Sequence, residues 1–342
     1  MRRTATSPAM RDRVVGLAMR YGFLALLLAL VLFFMAFAPG FASVTSAIFI
    51  FQSVAITAIL ALGVTATLVV GGFDLSIGSV TTSAMMAAAY AMVVWGEGAP
   101  MAVIWCLLLG LGVGLLNGLL VVYMRIPDLL VTLGSMFVLV GLQRIPTEGR
   151  SIATGMTLPD GSTAQGTFPA GFLALGRHRF DFIRPDLIPV SVIVMVALGL
   201  LIWFFLEYTR FGRVMYAIGS NERAAALAGA PVKHYKIVAY MISGVFAAIG
   251  GILLAARLGR GDIASGNNLL LDAVAAALIG YAVLGAAKPN AFGTAIGALF
   301  VGVLLQGLTM MDVPYYTQDF VKGAVLMAAL MFTFGLSQRG RG

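Results

Sequence analysis

The stretch TSAIFIFQSVAITAILALGVTATLVVGGFDLSIGSV, Thr45–Val80, decides the fold class of this 342-residue chain. Residues 45–70 carry no charged side chain. A helical run of about 20 apolar residues is enough to cross the hydrocarbon core of a bilayer. The run then breaks at Gly71-Gly72 and sets Asp74, Ser76 and Ser79 at the head of a second apolar run. Glycine permits a sharp turn, and the Asp74 and Ser76 side chains can accept from freed backbone donors or cap the next helix. An acid at such depth is costly and ordinarily faces a bundle interior or a wet cavity. Gly71, Gly72, Asp74 and Ser76 therefore read as a hinge beside a pathway. The plainer reading is a capped helix start, and both can hold together.

Outward from this stretch the pattern repeats. Ten apolar runs occupy about 22–38, 45–70, 77–95, 100–123, 126–145, 187–207, 234–256, 272–287, 291–311 and 318–336. Helix is the reading each supports, because backbone polar groups in lipid must be satisfied within their own segment and no short alternating runs suggest a barrel. The expected fold class is all-α: a polytopic membrane protein of about ten transmembrane helices, forming one domain over 1–342. Composition agrees. Charged residues are 11% of the chain against about a quarter in soluble domains, and mean hydropathy is +0.98. The 41 glycines suit close helix packing in lipid.

The net charge of +8 could suggest a nucleic-acid partner, but the basic residues lie between apolar runs rather than on one soluble face, so none is expected. With the N-terminus inside and the runs alternating, the cytoplasmic segments total about +10, the outer ones about −1 and the spans −1. That split obeys the positive-inside bias and puts both termini, including segment 1–20, in the cytoplasm. Ala36-Phe37-Ala38 resembles a signal-peptidase site, but an uncleaved first helix is expected because nine further runs follow. Segment 146–186 is the one long polar stretch between runs and reads as an outer loop, with turns at Thr154–Gly161, suited to docking or to acting as a lid.

The two halves echo each other. Val113–Leu119 with Asn117 resembles Val303–Leu308 with Gln306, each followed by a proline at similar distance; Asp74 and Asp272 open the preceding small-residue spans. Five helices per half would invert the second copy, a transporter signature with the path near the repeat interface. Gly71, Gly72, Asp74, Ser76, Asn117, Asp272 and Gln306 are the candidate pathway or hinge residues.

A second motif lies in the segment between the sixth and seventh runs, 208–233. Asn221 can cap a short helix of Glu222-Arg223-Ala224-Ala225-Ala226-Leu227-Ala228, ended by Gly229 and followed by Pro231. So short a helix is marginal alone in water, so it rests on a partner or on its own bundle. Catalysis has little to build on. Cys106 sits alone in an apolar run, His178 and His234 are far apart, and no metal or catalytic site is expected. A phosphate-binding loop of the Gly-x-x-x-x-Gly-Lys-Ser/Thr type is absent from the sequence, so any ATP would be hydrolysed by another chain.

GGFDLSIGSV (71–80), TRFGRVMYAIGSNERAAALAGAPVKHYK (209–236) and the stretch from Asp272 through Asn290 and Gly293 to Gly323 resemble the permease subunits of bacterial ABC importers for ribose, xylose and other simple sugars. The resemblance implies a type II-like, ten-helix permease in the inner membrane. It implies pairing with a second permease subunit, two ATPase subunits holding ATP and magnesium, and a periplasmic sugar-binding protein. No cofactor is expected on this chain. Gly219, Asn221, Glu222, Ala224, Ala225 and Gly229 would then lie at or beside a coupling helix seated on the ATPase. The chain departs from the family's pattern at Leu284–Asn290 and in the longer 146–186 loop. The main rival is an ion-coupled secondary transporter using Asp74 or Asp272.

Overall fold

The computed structural model describes residues 8–181, 187–281, 283, 288–314, 316–325 and 327, with side chains from Tyr21 onward. Its helices are α1 (Pro8–Phe37), α2 (Val44–Val69), α3 (Ile77–Ala89), α4 (Ala99–Tyr123), α5 (Asp128–Leu142), α6 (Ala170–Arg177), α7 (Val190–Tyr208), α8 (Arg210–Ser220), α9 (Glu222–Leu227), α10 (Val232–Leu258), α11 (Ser265–Asn268), α12 (Leu270–Gly280) and α13 (Ala291–Met310). Residues 316–325 are also helical. Among the described residues, seven stretches are long and apolar enough to cross a membrane: α2, α3 with the wide turn that follows it, α4, α5 with its continuation to Thr147, α7, α10 and α13. The apolar part of α1, Tyr21–Phe37, is shorter. The eighth expected run enters α12, but residues 284–287 lie outside the described residues, as does 328–336 of the tenth. The protein is thus an integral membrane protein of several packed helices.

Burial sorts the spans. The α2, α3, α10 and α13 helices are mostly covered by the rest of the chain, whereas α4, α5 and α7 expose most of their apolar surface. With lipid as the solvent, apolar surface alone does not pull helices together, so small residues and polar contacts carry the packing. The α4–α10 crossing shows this. A Cβ at Gly110 would collide with the Gly244 carbonyl, one at Gly114 with the Tyr240 carbonyl, and one at Gly244 with the Gly110 carbonyl. Between α2 and α13 the link is polar, with the Thr65 and Thr294 hydroxyls 2.6 Å apart in the buried core. Cys106 is buried, its Sγ 3.1 Å from the Ala84 carbonyl.

The bundle has two ends. At one, α2, α4 and α12 finish, α10 and α13 begin, and α8 and α9 sit; it is called the α9 end below. At the other, the 146–181 segment folds over the helix ends. Contrary to an all-turn reading, this segment contains α6 and strand β1 (Arg179–Phe180), paired antiparallel with β2 (Ile188–Pro189). Thr154–Gly161 itself is turns and bends. The Gly166 amide donates to the Val93 carbonyl at 3.1 Å, Ile152 bridges Gly261, and Arg179 reaches Gln52 Oε1 at 3.1 Å. These bonds fasten the segment to α2, α3 and the end of α10.

Contacts also give the helix senses. The α3 helix starts near mid-bundle and runs to the far end, where Val93 meets Gly166. The α12 helix runs the opposite way, from Leu270 beside Gly78 to Gly280 beside Thr294. The α4 and α13 helices are likewise antiparallel: α4 ends with Tyr123 under the Lys233 ammonium at the α9 end, and α13 ends with Met310 against Ser46 at the far end.

Candidate functional site

The α2 helix ends in a Schellman cap. The Gly72 amide donates to the Thr67 carbonyl at 2.9 Å, the Gly71 amide donates to Leu68 at 3.0 Å, and Gly71 takes φ +75. Only the missing Cβ makes that left-handed turn inexpensive. From it, residues 72–74 run without helix back into the bundle and deliver Asp74 to a buried position, 1% exposed.

There the carboxylate is held by three donors. Asp74 Oδ1 accepts from the Ser76 amide at 2.8 Å and the Ser76 hydroxyl at 2.6 Å; Oδ2 accepts from the Ser243 hydroxyl of α10 at 2.7 Å. Ser76 precedes α3 but forms no side-chain cap to it; Asp74 instead accepts the free amide. The network continues outward. Asn117 Nδ2 on α4 donates to Ser76 Oγ at 2.9 Å, and Ser135 on α5 donates to Asn117 Oδ1 at 2.5 Å. Among the described residues Asp74 has no Lys or Arg partner within ion-pair distance. One acid thus ties α3, α4, α5 and α10 together through hydrogen bonds alone. Such a network is rigid while fully satisfied, and each lost member leaves another group unpaired.

The other two pathway candidates lie elsewhere. Asp272 in α12 is buried and pairs with Lys322 at 2.7 Å, while Lys322 also meets Asp319 at 2.9 Å. Gln306 is half-buried on α13 and shares no hydrogen bond with the Asp74 network. Sequence reading missed Ser243 and Ser135; each is a lone hydroxyl in an apolar run beside a glycine, a weak signal that could have singled them out.

At the α9 end, Thr209 caps α8 by accepting from the Gly212 amide at 3.1 Å, and Asn221 caps α9 by accepting from the Ala224 amide at 3.0 Å. The α9 helix closes on Gly229 at φ +86, with the Ala230 amide donating to Ala225 at 3.0 Å. Ala225 is buried, but Asn221, Glu222, Ala224, Ala226 and Gly229 are exposed, and Leu227 is 90% exposed. The helix rests one side chain on its own bundle and projects the rest. Lys236 Nζ braces it from α10, 2.6 Å from Glu222 Oε2.

The two motifs meet. Gly219, at the end of α8, approaches so closely that a Cβ there would collide with the Val69 carbonyl, and its Cα would lie 3.8 Å from a Cβ on Gly71. On the other side of the turn, a Cβ on Gly72 would lie 2.7 Å from the Tyr240 hydroxyl. The far flank of α8 is anchored by Tyr216, whose hydroxyl donates to Glu207 Oε1 at 3.1 Å and the Pro289 carbonyl at 3.0 Å; Lys288 also reaches Glu207 at 3.1 Å. Burial, and next the Glu207 carboxylate, push the Tyr216 hydroxyl above the usual tyrosine range, so it remains a donor. A displacement of α9 would reach the Gly71–Gly72 turn, and through it Asp74, by backbone contact.

No group of three or more His, Cys, Asp or Glu side chains suited to a metal occurs among the described residues. Residues 46–330 match the family model described as branched-chain amino acid transport system / permease component. The chain is 34% identical to the ribose import permease protein of Escherichia coli strain K12, over 89% of this chain and 90% of that protein. It is 33% identical to the xylose transport system permease protein of Haemophilus influenzae, over 82% and 86%. It is also 33% identical to the ribose import permease protein of Bacillus subtilis, over 86% of each. No solved structure matches the chain.

Proposed function

This chain belongs to the family of transport-system permease components, and from that premise we propose that it is the membrane subunit of an ATP-driven importer of a monosaccharide. It is a transport component rather than an enzyme. The observation that carries the sugar assignment is similarity along nearly the whole chain to permeases named for ribose and xylose.

In this reading the α9 end faces the cytoplasm, the 146–181 segment faces the periplasm, and the bundle contains ten spans in the inner membrane. The opposed senses of α3 and α12, and of α4 and α13, support an inverted repeat of five helices. Two permease subunits enclose the path. An ATPase on the cytoplasmic side supplies ATP and magnesium, and a periplasmic binding protein delivers sugar. The projecting α9, with Asn221, Glu222, Ala224, Ala225 and Gly229, is the coupling helix. Gly219 passes its movement to Gly71 and Gly72, and the network of Asp74, Ser76 and Asn117 makes the attached helices respond together. Asp272 and Gln306 belong to the corresponding region of the second repeat.

The test is reconstitution of the chain with its ATPase and binding protein in liposomes. ATP-dependent uptake of D-ribose or D-xylose that survives collapse of the proton and sodium gradients is the expected result. Uptake that follows either gradient would overturn the reading in favour of an ion-coupled carrier.

A further inference from the structure

A cavity of about 800 Å³ opens at the α9 end, where the Gly71–Gly72 turn, the Arg125–Asp128 link between α4 and α5, the start of α10, and Glu222 and Ala226 of α9 converge. Its volume is within the range of small-molecule sites. Tyr240 lines its inner part; the side chain is 1% exposed, and its hydroxyl has no hydrogen-bond partner among the described residues. Buried hydroxyls are ordinarily paired, so this one points to a guest that carries hydrogen-bonding atoms.

The charges narrow the chemistry of that guest. Glu222 is occupied by Lys236 at 2.6 Å. Arg125 and Lys233 remain on one side of the account and Asp128 on the other. An anion entering here meets the Asp128 and Glu222 carboxylates; a cation meets Arg125 and Lys233. A neutral polyol meets neither penalty. Its hydroxyls donate to Asp128 and accept from Arg125, Lys233 and Tyr240, which between them supply both halves of the hydrogen-bond inventory.

We propose that this cavity is a second monosaccharide subsite, filled from the α9 side by sugar that has already crossed, and that its occupant slows the importer. The inference rests on the reading of the chain as a sugar permease. Its lining comes from the coupling segment, the hinge, the α4–α5 link and α10, so a guest that bridges them favours the arrangement in which it fits and opposes any other.

The experiment uses the complete importer in liposomes, with D-ribose or D-xylose preloaded on the ATP side. The readout is the ratio of initial ATP-driven uptake with and without the preloaded sugar, which normalises each variant to its own rate. The ratio should fall several-fold for the unaltered protein and return toward one for Tyr240→Phe and Asp128→Asn. Equilibrium binding of radiolabelled sugar to the solubilised importer, without binding protein, should weaken in the same two variants. An unchanged ratio in the unaltered protein, or variants slowed as much as it is, would overturn the subsite and leave the importer reading standing. Slowing by inorganic phosphate but not by sugar would assign the cavity to an anion and also overturn it. Absence of ATP-driven uptake altogether would remove the parent reading, and the subsite with it.

Discussion

Gly219 of α8 stands against the Val69 carbonyl of α2 with no room for a side chain between them. The contact joins the segment that presents α9 to the turn that leads to Asp74. It is backbone against backbone, so neither side can yield by changing a rotamer.

Gly219→Ala should therefore displace α8. Forcing an extra methyl into a tight contact typically costs about 1–3 kcal/mol. Sugar uptake is expected to fall about tenfold, equivalent to roughly 1.4 kcal/mol, while the associated ATPase continues to hydrolyse ATP. Uptake and hydrolysis measured on the same liposomes separate loss of coupling from loss of assembly; undiminished uptake would remove the joint from the mechanism.

Leu227, at 90% exposure, contributes little to the fold of the isolated chain. Leu227→Arg should leave the melting temperature of the solubilised permease within a degree or two, since exposed substitutions usually change stability by less than about 0.5 kcal/mol. Co-purification of the ATPase should drop sharply. Ala225→Asp, which buries a charge under α9, should lower both. An ATPase retained at full yield by Leu227→Arg would show that α9 is not its seat.

Asp74→Ala strips three donors of their acceptor: the Ser76 amide, the Ser76 hydroxyl and the Ser243 hydroxyl. Each buried group left unpaired costs about 1–3 kcal/mol, so the variant should be poorly folded. Ser243→Ala removes one bond and should cost about 1 kcal/mol. Thermal unfolding in detergent ranks the pair, and equal melting temperatures would mean that the network carries no stability.

Lys322→Met leaves Asp272 buried without its cation. Breaking a buried pair from one side typically costs about 3–5 kcal/mol. Adding Asp272→Asn to Lys322→Met should recover most of the loss, because the uncompensated charge is gone. A double-mutant cycle with no recovery would show that the 2.7 Å contact adds nothing beyond its separate parts.

Much of the architecture was legible before any coordinates. The Asn221 cap, the Gly229 stop and the break at Gly71-Gly72 depend on bonds within a few residues, which local sequence specifies. Seven of the ten apolar runs are span-length helices for a similarly local reason: hydropathy and backbone satisfaction act along one segment. The 146–181 segment was less legible, because a short helix and a two-residue strand acquire stability from what they pack on rather than from composition. Asp272 and Gln306 share a sequence pattern with Asp74 and Asn117, yet their side chains do not join the Asp74 network, since pattern constrains position along a helix and not the neighbour across it.

Sequence by itself determined that this chain lives in a membrane, where it bends, and which short helix it presents. Only the tertiary structure decided that Ser243, 169 residues away in sequence, closes the Asp74 network, that Lys322 neutralises Asp272, and that the two motifs touch at Gly219. The reason is physical. Hydropathy and capping are satisfied inside one segment, but a buried charge needs a partner from whichever helix packs beside it. That neighbour is chosen by glycines such as Gly110, Gly114 and Gly244, which let two backbones come close enough to bring it there.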